Sequence, residues 1–290
     1  MMDAPAGRPS RRRAALDLGL RLWAPLFRRR SGLRVLAYHT VPDRRSFAAQ
    51  LDHLGRHYEV VTAQQVVDAL SGASLPGRAV WLTFDDGDPS VLSNGLPELR
   101  ARGLTATLFV CPSVVGTQSG LWFQRARASM ASEAEVAALK SLSPADRASH
   151  IAQLPDAPFP QPTRDDLVVW TEAGCTVGNH TWSHPLLDQC EPGEVASEID
   201  RAQEWLDEHF PGQPRVFAYP NGNWTDSAER VLTQRGYALA LLFDHQLADL
   251  SHPLRVSRIR VNTFDSMPRF SAAVSGVHPA LLRARTALRR

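Results

Sequence analysis

The amino-acid sequence predicts an α/β protein whose strands pair in parallel. Short apolar runs typical of buried strands alternate with segments of amphipathic helical spacing, and each run ends in polar residues. Alternation of this kind in one chain favours right-handed crossovers between parallel strands. With 290 residues, 43% of them hydrophobic, the chain is long enough to bury a sizeable core.

In the first half of the chain, strands are predicted at 33–39, 79–84 and 105–110. The first is an apolar run that ends in Tyr38 and His39, and the second ends before a turn marked by Gly87. The third is rich in β-branched residues and stops at Pro112. Amphipathic spacing predicts the helices of this half, at 47–54, 63–70 and 97–102.

In the second half, apolar runs predict strands at 175–178, 216–219, 237–243 and 255–261. The helices of this half are predicted at 163–173, 192–210 and 225–235. Between the two halves the alternation breaks, because two helical segments at 133–142 and 144–154 lead into a proline-rich stretch. We therefore predict that residues 116–162 are an insertion carried on the domain.

We expect the folded domain to span 33–270, between a basic leader at 1–32 and a basic tail at 271–290. Arginine clusters at 11–13 and 28–30 flank an apolar stretch too short and too interrupted for a membrane span or a secretory signal. Four of its apolar residues have the spacing of a helix on an anionic membrane surface: Leu16, Leu20, Trp23 and Phe27. A frayed basic leader explains them more simply. We expect a cytoplasmic protein or a peripheral one at the inner membrane surface.

Charge and cysteine content exclude some function classes. The 32 basic and 30 acidic residues leave a formal charge of +2, so no overall field recommends nucleic acid as a partner. The three cysteines, Cys111, Cys175 and Cys190, are isolated and odd in number, which argues against a disulfide framework and against a cysteine-rich zinc site.

Two adjacent carboxylates, Asp85 and Asp86, follow the apolar strand at 79–84. Burying both would be costly unless a cation or a working proton shared the site. Because adjacent strand residues point to opposite faces, both acids can serve one site only if the strand ends there, which Gly87 permits. The pair is a candidate for catalysis, although Asp-Asp-Gly is also an ordinary turn signal.

Two histidines, His180 and His184, stand four residues apart, a spacing that can aim both imidazoles at one ion from a helical turn or a compact loop. On their own they are as readily two unrelated surface histidines. Two histidines and one carboxylate, with the remaining positions left to water, are typical of a catalytic metal site. Such ligands suit Zn²⁺, and Co²⁺, Ni²⁺ or Fe²⁺ fit the same set.

A third segment, at 215–222, is an apolar strand that runs into a proline turn and could hold a backbone amide rigidly. Together with the segments at 83–87 and 180–184, in this order, it resembles the polysaccharide deacetylase (NodB-like) family, which includes the family 4 carbohydrate esterases. The family's TFDDG, HTxxH and FxYPxG motifs appear here almost unaltered. The resemblance covers roughly 33–270.

The resemblance implies a distorted, incomplete (β/α) barrel that hydrolyses acetyl groups, above all N-acetyl groups, on a carbohydrate or glycoconjugate. Asp86, His180 and His184 match the family's metal ligands, and Asp85 matches its catalytic base. Tyr219 matches the position whose main-chain amide helps to hold the oxyanion. A metal-bound water would attack the acetyl carbonyl while Asp85 takes its proton.

The sequence departs from the family at two places. Many members have an arginine where Ala218 stands, so Arg258 and Arg260 are candidates to orient the base instead. The family's late leucine–histidine segment, which supplies the general acid, is not recognisable. His39 and His278 are candidates for that role, and His39, at the end of the first strand, is better placed.

Other functions remain open on the sequence alone. A metal-dependent amidohydrolase acting on a non-carbohydrate amide would keep the same metal ligands and base. An inactive carbohydrate-binding protein on the same scaffold would explain the missing general acid, but it would not need Asp85. A membrane-associated scaffold recruited by the N-terminal arginines would not need the metal site. Trp122 and Phe123, in the insertion, could stack on a sugar or anchor the insertion to the core.

Overall fold

The structure is a computed structural model that describes residues 31–129, 132–155 and 158–277. Its parallel strands form one sheet in the order β7-β6-β5-β4-β3-β1-β8, and β2 pairs with the beginning of β3. The strands are β1 Arg34–Tyr38, β2 Glu59–Val60, β3 Ala79–Phe84, β4 Thr107–Val110, β5 Thr176–Asn179, β6 Val216–Ala218, β7 Leu239–Leu241 and β8 Ile259–Arg260.

Helices connect most of these strands, as the alternating pattern predicted. They are α1 Arg44–His57, α2 Ala63–Leu70, α3 Leu96–Arg100, α4 Trp122–Ala128, α5 Glu133–Leu139, α6 Pro144–Ala152, α7 Arg164–Glu172, α8 Pro192–His209, α9 Asp226–Gln234 and α10 Met267–Ser275. Several begin at side-chain caps, for example α2, where Thr62 and Gln65 form a capping box. None of the helices in the described ranges combines the length and the apolar character needed to cross a bilayer.

The two edges of the sheet approach each other, so that the sheet curls into an incomplete barrel. Strand β8 pairs with β1, while Val256, just before β8, forms a parallel bridge with Leu241 of β7. The Val256 N–H donates to the Ala240 carbonyl at 2.9 Å, and the Leu242 N–H donates to the Val256 carbonyl at 2.8 Å. The predicted distorted (β/α) barrel is thereby confirmed.

Side chains of the strands alternate between two cores. One core lies inside the curl and includes Val35, Trp81, Phe109, Val216, Leu239 and Val256. The other packs the opposite face of the sheet against helices and includes Leu36, Tyr38, Phe47, Leu82, Phe84, Leu108 and Trp170. Because strand residues alternate in direction, Thr83 and Asp85 lie on the same inner side as Trp81.

The predicted insertion has an apolar cluster of its own. Helices α4, α5 and α6 pack together through Leu121, Phe123, Ala126, Val136, Leu139 and Ile151. Helix α4 has no counterpart in the sequence prediction, since its seven residues, WFQRARA, show too few turns of amphipathic spacing. The cluster lets the segment keep a fixed shape beside the barrel.

Two predicted boundaries differ from the structure. Helix α10 crosses the expected domain end at residue 270 and buries Phe270, Ala272 and Val274, so the folded part continues at least to Val277. Its proline opens the helix instead of ending it. Strand β2 was not predicted, because two residues carry no periodicity. Residues 1–30 of the leader and the tail from His278 onward lie outside the described residues, so the membrane contact stays a prediction.

Candidate active site

A cavity of about 670 Å³ lies at the carboxyl ends of the strands. The carboxyl ends of parallel strands meet at one edge of the sheet, which is where α/β proteins gather reactive groups. The cavity is lined by nine of the residues singled out from the sequence: His39, Asp85, Asp86, Trp122, Phe123, His180, His184, Arg258 and Arg260. Tyr219 is not among its lining residues.

A left-handed turn brings the two adjacent carboxylates to the same side. The backbone of Asp85 still continues the pairing of β3 with β1, since its N–H donates to the Tyr38 carbonyl at 3.0 Å. Asp86 then has φ +72° and Gly87 has φ +68°, and this turn cancels the alternation that would point Asp86 away. A non-glycine residue rarely adopts such a conformation, and those that do cluster at functional sites.

The two histidines lie on a compact loop that follows β5. Thr181 and His184 have φ values of +68° and +59°, and the His184 N–H donates to Thr181 Oγ1 at 3.1 Å. Glu198 of α8 accepts hydrogen bonds from Ser183 N and from Ser183 Oγ, both at 2.8 Å. Helix α8 therefore holds the loop from outside while both imidazoles point into the cavity.

Asp86, His180 and His184 form a group that fits a divalent metal ion. Nε2 of His180 and Nε2 of His184 each lie 3.4 Å from Oδ1 of Asp86. Two ligands at usual zinc distances in a tetrahedral site would be about 3.4 Å apart. Within the described residues, Asp86 Oδ1 is buried and accepts no hydrogen bond. A buried carboxylate oxygen without a donor, beside two imidazole nitrogens, has the chemistry of a metal ligand.

The surroundings prepare both imidazoles as ligands. His180 Nδ1 lies 2.7 Å from the Ala218 carbonyl, which only accepts, so Nδ1 carries the proton and Nε2 presents its lone pair. Burial lowers the pKa of His184 to about 4, so this imidazole is neutral at pH 7. The Phe123 ring packs edge-on against the His184 ring at 4.9 Å, and Trp122 Nε1–H donates to the His184 carbonyl at 3.1 Å. Both aromatics therefore anchor the insertion to the histidine loop.

The guanidinium of Arg258 forms a bidentate ion pair with the carboxylate of Asp85. Nη1 donates to Oδ1 and Nη2 donates to Oδ2, each at 2.7 Å, while Nε donates to the Leu242 carbonyl at 2.7 Å. Burial would raise the pKa of Asp85, but the charge and hydrogen bonds of Arg258, together with the nearby His180 and His39, outweigh it and hold the pKa below its usual value. Arg260, the other candidate, lies with its guanidinium 5.7 Å from the centre of the Phe243 ring.

His39 lies beside the metal group without touching it. Its Nε2 is 4.0 Å from Asp86 Oδ2, and its ring stands edge-on to Phe243 at 5.3 Å. Burial lowers the pKa of His39, which leaves the imidazole mainly neutral at pH 7. About a third of the side chain is exposed, so a ligand in the cavity can reach it.

The expected role of the Tyr219 amide is wrong. Its N–H donates to the Leu241 carbonyl at 3.1 Å in the pairing of β6 with β7, so it has no hydrogen left for an oxyanion. Its hydroxyl donates to the Leu254 carbonyl at 3.0 Å. The strand ladder runs one residue further than the motif suggests. Asn221, in the following turn, has φ +57° and lines the cavity, and its N–H makes no hydrogen bond within the described part of the chain.

Phe264 and Lys140 are among the cavity residues that sequence reasoning missed. Phe264 is 72% exposed and lines the cavity, although large apolar side chains are otherwise almost all covered. Lys140, at the end of α5, donates from Nζ to Asn221 Oδ1. The one signal for Phe264 was its position as an aromatic residue in the polar stretch 262–266. No feature of the sequence singled out Lys140.

Comparisons with known proteins agree with this geometry. The sequence model described as polysaccharide deacetylase matches residues 72–240, which include Asp85, Asp86 and both loop histidines. YxkH of Bacillus subtilis is 19% identical over 255 residues, which are 84% of this chain and 77% of that protein. The poly-beta-1,6-N-acetyl-D-glucosamine N-deacetylase of Staphylococcus epidermidis is 23% identical over 208 residues, 71% of this chain and 62% of the enzyme. The structure of IcaB from Ammonifex degensii matches with a TM-score of 0.63 and 28% identity, over 85% of this chain and 98% of that one.

Proposed function

Because the chain belongs to the polysaccharide deacetylase family, we propose that it removes acetyl groups, above all N-acetyl groups, from a carbohydrate or glycoconjugate. Membership makes it a hydrolase that acts on non-peptide carbon–nitrogen bonds. The observation that carries the proposal is the meeting of an ionised carboxylate, Asp85, with the group of Asp86, His180 and His184 in one cavity. A pure binding protein would have no use for such a carboxylate.

Asp86, His180 and His184 are the proposed ligands of a divalent ion, with Zn²⁺ as the first choice. Such an ion supplies Lewis acidity, which polarises a carbonyl group and acidifies water. The protein contributes the ligand geometry. The Ala218 carbonyl fixes the tautomer of His180, and the packing of Phe123 fixes the ring of His184.

Asp85 is the proposed general base. It lies beside the ligands, keeps a low pKa through Arg258, and so stands ionised and able to take a proton from the attacking water. The two hydrogen bonds from Arg258 hold the carboxylate in one orientation. Arg258 thus does from the last strand what an arginine at position 218 would do from β6. His39 borders the same space and, being mainly neutral, is proposed to pass to the leaving nitrogen a proton that the attacking water has released.

The Asn221 N–H is the proposed donor to the oxyanion, in place of the Tyr219 amide. It lies on a turn at the cavity wall and has no acceptor within the described residues. A fixed backbone donor aimed at developing negative charge stabilises the transition state without reorganisation. Gly222, which follows, packs so tightly against Phe243 that the turn has little freedom to move.

The exposed ring of Phe264 favours an N-acetylated sugar over a non-carbohydrate amide as the substrate. An exposed aromatic ring at a cavity mouth offers a flat apolar surface, and the C–H groups on one face of a pyranose ring pack well on such a surface. Trp122 and Phe123 cannot serve in this way, since both are already engaged with the histidine loop.

The test is acetate release by the purified full-length chain with added zinc. The substrates are N-acetylated and O-acetylated oligosaccharides, with an N-acetylated amino acid as the non-carbohydrate amide. We expect release from N-acetylated sugars. Asp85→Asn should keep bound zinc and lose about 10²–10⁴-fold in kcat. His184→Ala should lose both zinc and turnover.

Asp200→Asn is the control, because this carboxylate is paired with Arg235 on the outer helices. It should keep both zinc and activity. Release from the amino acid alone would replace the carbohydrate substrate with a non-carbohydrate amide. Unchanged turnover in Asp85→Asn would remove Asp85 from the mechanism.

A further inference from the structure

One side of the cavity carries positive charge that the proposed hydrolysis does not use. Three cations line it: Arg127 and Lys140 from the insertion, and Arg260 from β8. We propose that this side binds an anionic group, a phosphate or a carboxylate, carried by the substrate close to its acetylated sugar. The substrate would then be an acidic or phosphate-bearing glycan. This inference rests on the proposed function and names the substrate class of the same site.

Lys140 is held over the cavity without a carboxylate partner. Its Nζ donates to the side-chain oxygen of Asn221, and it forms no ion pair within the residues that the structure describes. Burial lowers the pKa of Lys140, and the nearby guanidinium groups of Arg127 and Arg260 lower it further. Three cations are therefore close enough to repel one another, which an anion between them would relieve.

Arg260 is the second cation without an acid. It is exposed, and its guanidinium lies over the ring of Phe243, which forms the wall beside His39. The pKa of Glu133 is lowered first by its hydrogen bond with Arg127, and Arg260 and Lys140 lower it too. Glu133 therefore interacts with all three cations, and its carboxylate already accepts two hydrogen bonds from Arg127.

The four acidic and four basic side chains that line the cavity are not all paired with one another within the described chain. Of the lining acids, Asp85 is paired with Arg258, Asp86 faces the imidazoles, Glu133 is paired with Arg127, and Asp88 accepts hydrogen bonds from Ser90. Lys140 and Arg260 remain as cations that bind no carboxylate. Asp88 is the one lining acid that makes no ion pair, and its side chain turns to the residues that follow it in the chain.

The two free cations suit an oxyanion of the substrate. A guanidinium offers paired donors to a phosphate or carboxylate, and an ammonium adds a mobile point charge. The charge of Asp86 also reaches Lys140, which places the cationic side near the proposed ligands. An anion bound there would therefore lie close to the acetyl group being cleaved.

The experiment measures binding to the zinc-loaded Asp85→Asn chain, which should bind substrate without consuming it. The probes are N-acetylglucosamine, its 1-phosphate and N-acetylmuramic acid, followed by calorimetry or ligand-observed NMR. We expect a charged probe to bind at least about tenfold tighter than the neutral one, with a preference that shrinks in high salt. The 1-phosphate and the muramic acid arms separate phosphate from carboxylate.

Lys140→Gln and Arg260→Gln, each in the same background, should reduce the preference to about twofold or less. Arg260 is exposed and Lys140 is half-buried, and thermal unfolding checks that each variant is folded. The matched control is Arg164→Gln, an exposed arginine at the start of α7 whose partner is the neighbouring Asp165. This control should keep the preference.

Equal binding of charged and neutral probes would overturn the inference, and so would an equal loss in the Arg164→Gln control. The proposed function has a separate readout, acetate release by the native chain. If acetate is released from neutral sugars and charged probes bind no tighter than neutral ones, the proposed hydrolase is supported and the proposed anion site is excluded. If charged probes bind more tightly but no sugar releases acetate, the proposed anion site is supported and the proposed hydrolase is excluded.

Discussion

Arg258 and Asp85 are 173 positions apart in the chain, yet two parallel hydrogen bonds of 2.7 Å join their side chains. Asp85 follows strand β3, which lies between β4 and β1, and Arg258 comes from the segment that bridges the two edges of the sheet. Both groups are buried, so each compensates a charge that the protein interior would otherwise not tolerate. Asp85, the proposed base, is thus held by the same segment that closes the barrel.

Replacing Arg258 should therefore damage stability as well as activity. Arg258→Ala leaves the Asp85 carboxylate buried without a partner, and breaking a buried pair costs about 3–5 kcal/mol of unfolding free energy. Urea unfolding followed by circular dichroism measures it. The double variant Arg258→Met with Asp85→Asn removes both charges and should recover most of the stability and none of the activity. A single variant as stable as the native chain would show that the pair is dispensable.

Zinc should stabilise the chain through the three proposed ligands. At free zinc one hundred times above its dissociation constant, binding adds about 2.7 kcal/mol to the free energy of unfolding. We expect this gain in the native chain and in Asp85→Asn, and its loss in Asp86→Asn and His184→Ala. Thermal unfolding with and without zinc measures the gain independently of catalysis. The same gain in all four proteins would place the zinc elsewhere.

Phe264→Ala should weaken substrate binding without weakening the fold. The ring is 72% exposed, so its removal leaves the core intact, while the sugar loses its flat apolar partner. We expect KM to rise about 5–20-fold with kcat nearly unchanged, since a stacking contact is worth about 1–2 kcal/mol. Val169→Ala, the other exposed large apolar side chain among the described residues and one carried on α7, is the control. A fall in kcat at constant KM would contradict the stacking role.

Gly222→Ala should cost more than the same change at Gly212. Both glycines have left-handed φ values, +76° and +81°, so both variants carry the same backbone strain of about 1–2 kcal/mol. A Cβ on Gly222 would lie 2.6 Å from the Cβ of Phe243 and 2.9 Å from its nitrogen, whereas a Cβ on Gly212 meets nothing within 4 Å.

We therefore expect Gly222→Ala to lose about 1–3 kcal/mol more in urea unfolding than Gly212→Ala. It should also lose activity, because the turn that carries Asn221 must shift away from Phe243. Equal unfolding free energies for the two variants would mean that the turn adapts without cost.

Strands and helices long enough to show a periodic pattern of apolar residues were predictable from the sequence. Elements determined by contacts between distant residues were not. Apolar runs with helical spacing between them place β3 at 79–84 and α2 at 63–70 with the bounds that the structure has. Strand β2 and helix α4 are too short to show a period. Helix α10 begins at Met267, has a proline in its first turn and continues with small residues, so it was not recognised beside the basic tail.

The candidate site divides in the same way. Asp85, Asp86, His180 and His184 were visible because each pair is local in the sequence and follows a strand. The choice between Arg258 and Arg260 could not be made from strand alternation, since residues two positions apart share one face of a strand. In the structure Arg258 is buried against Asp85, whereas Arg260 is exposed. The Tyr219 amide was misassigned because its ladder partner, Leu241, belongs to another strand.

The seam between β7 and β1 also sets the order in which the site can be completed. The ribosome delivers residues 86, 180 and 184 long before it delivers Val256 and Arg258, which close the seam. A nascent chain at that stage contains all three proposed metal ligands, but its Asp85 does not yet have the guanidinium of Arg258 to hold it. The carboxylate of Asp85 can therefore be held in its orientation only after the residues that close the barrel have been made.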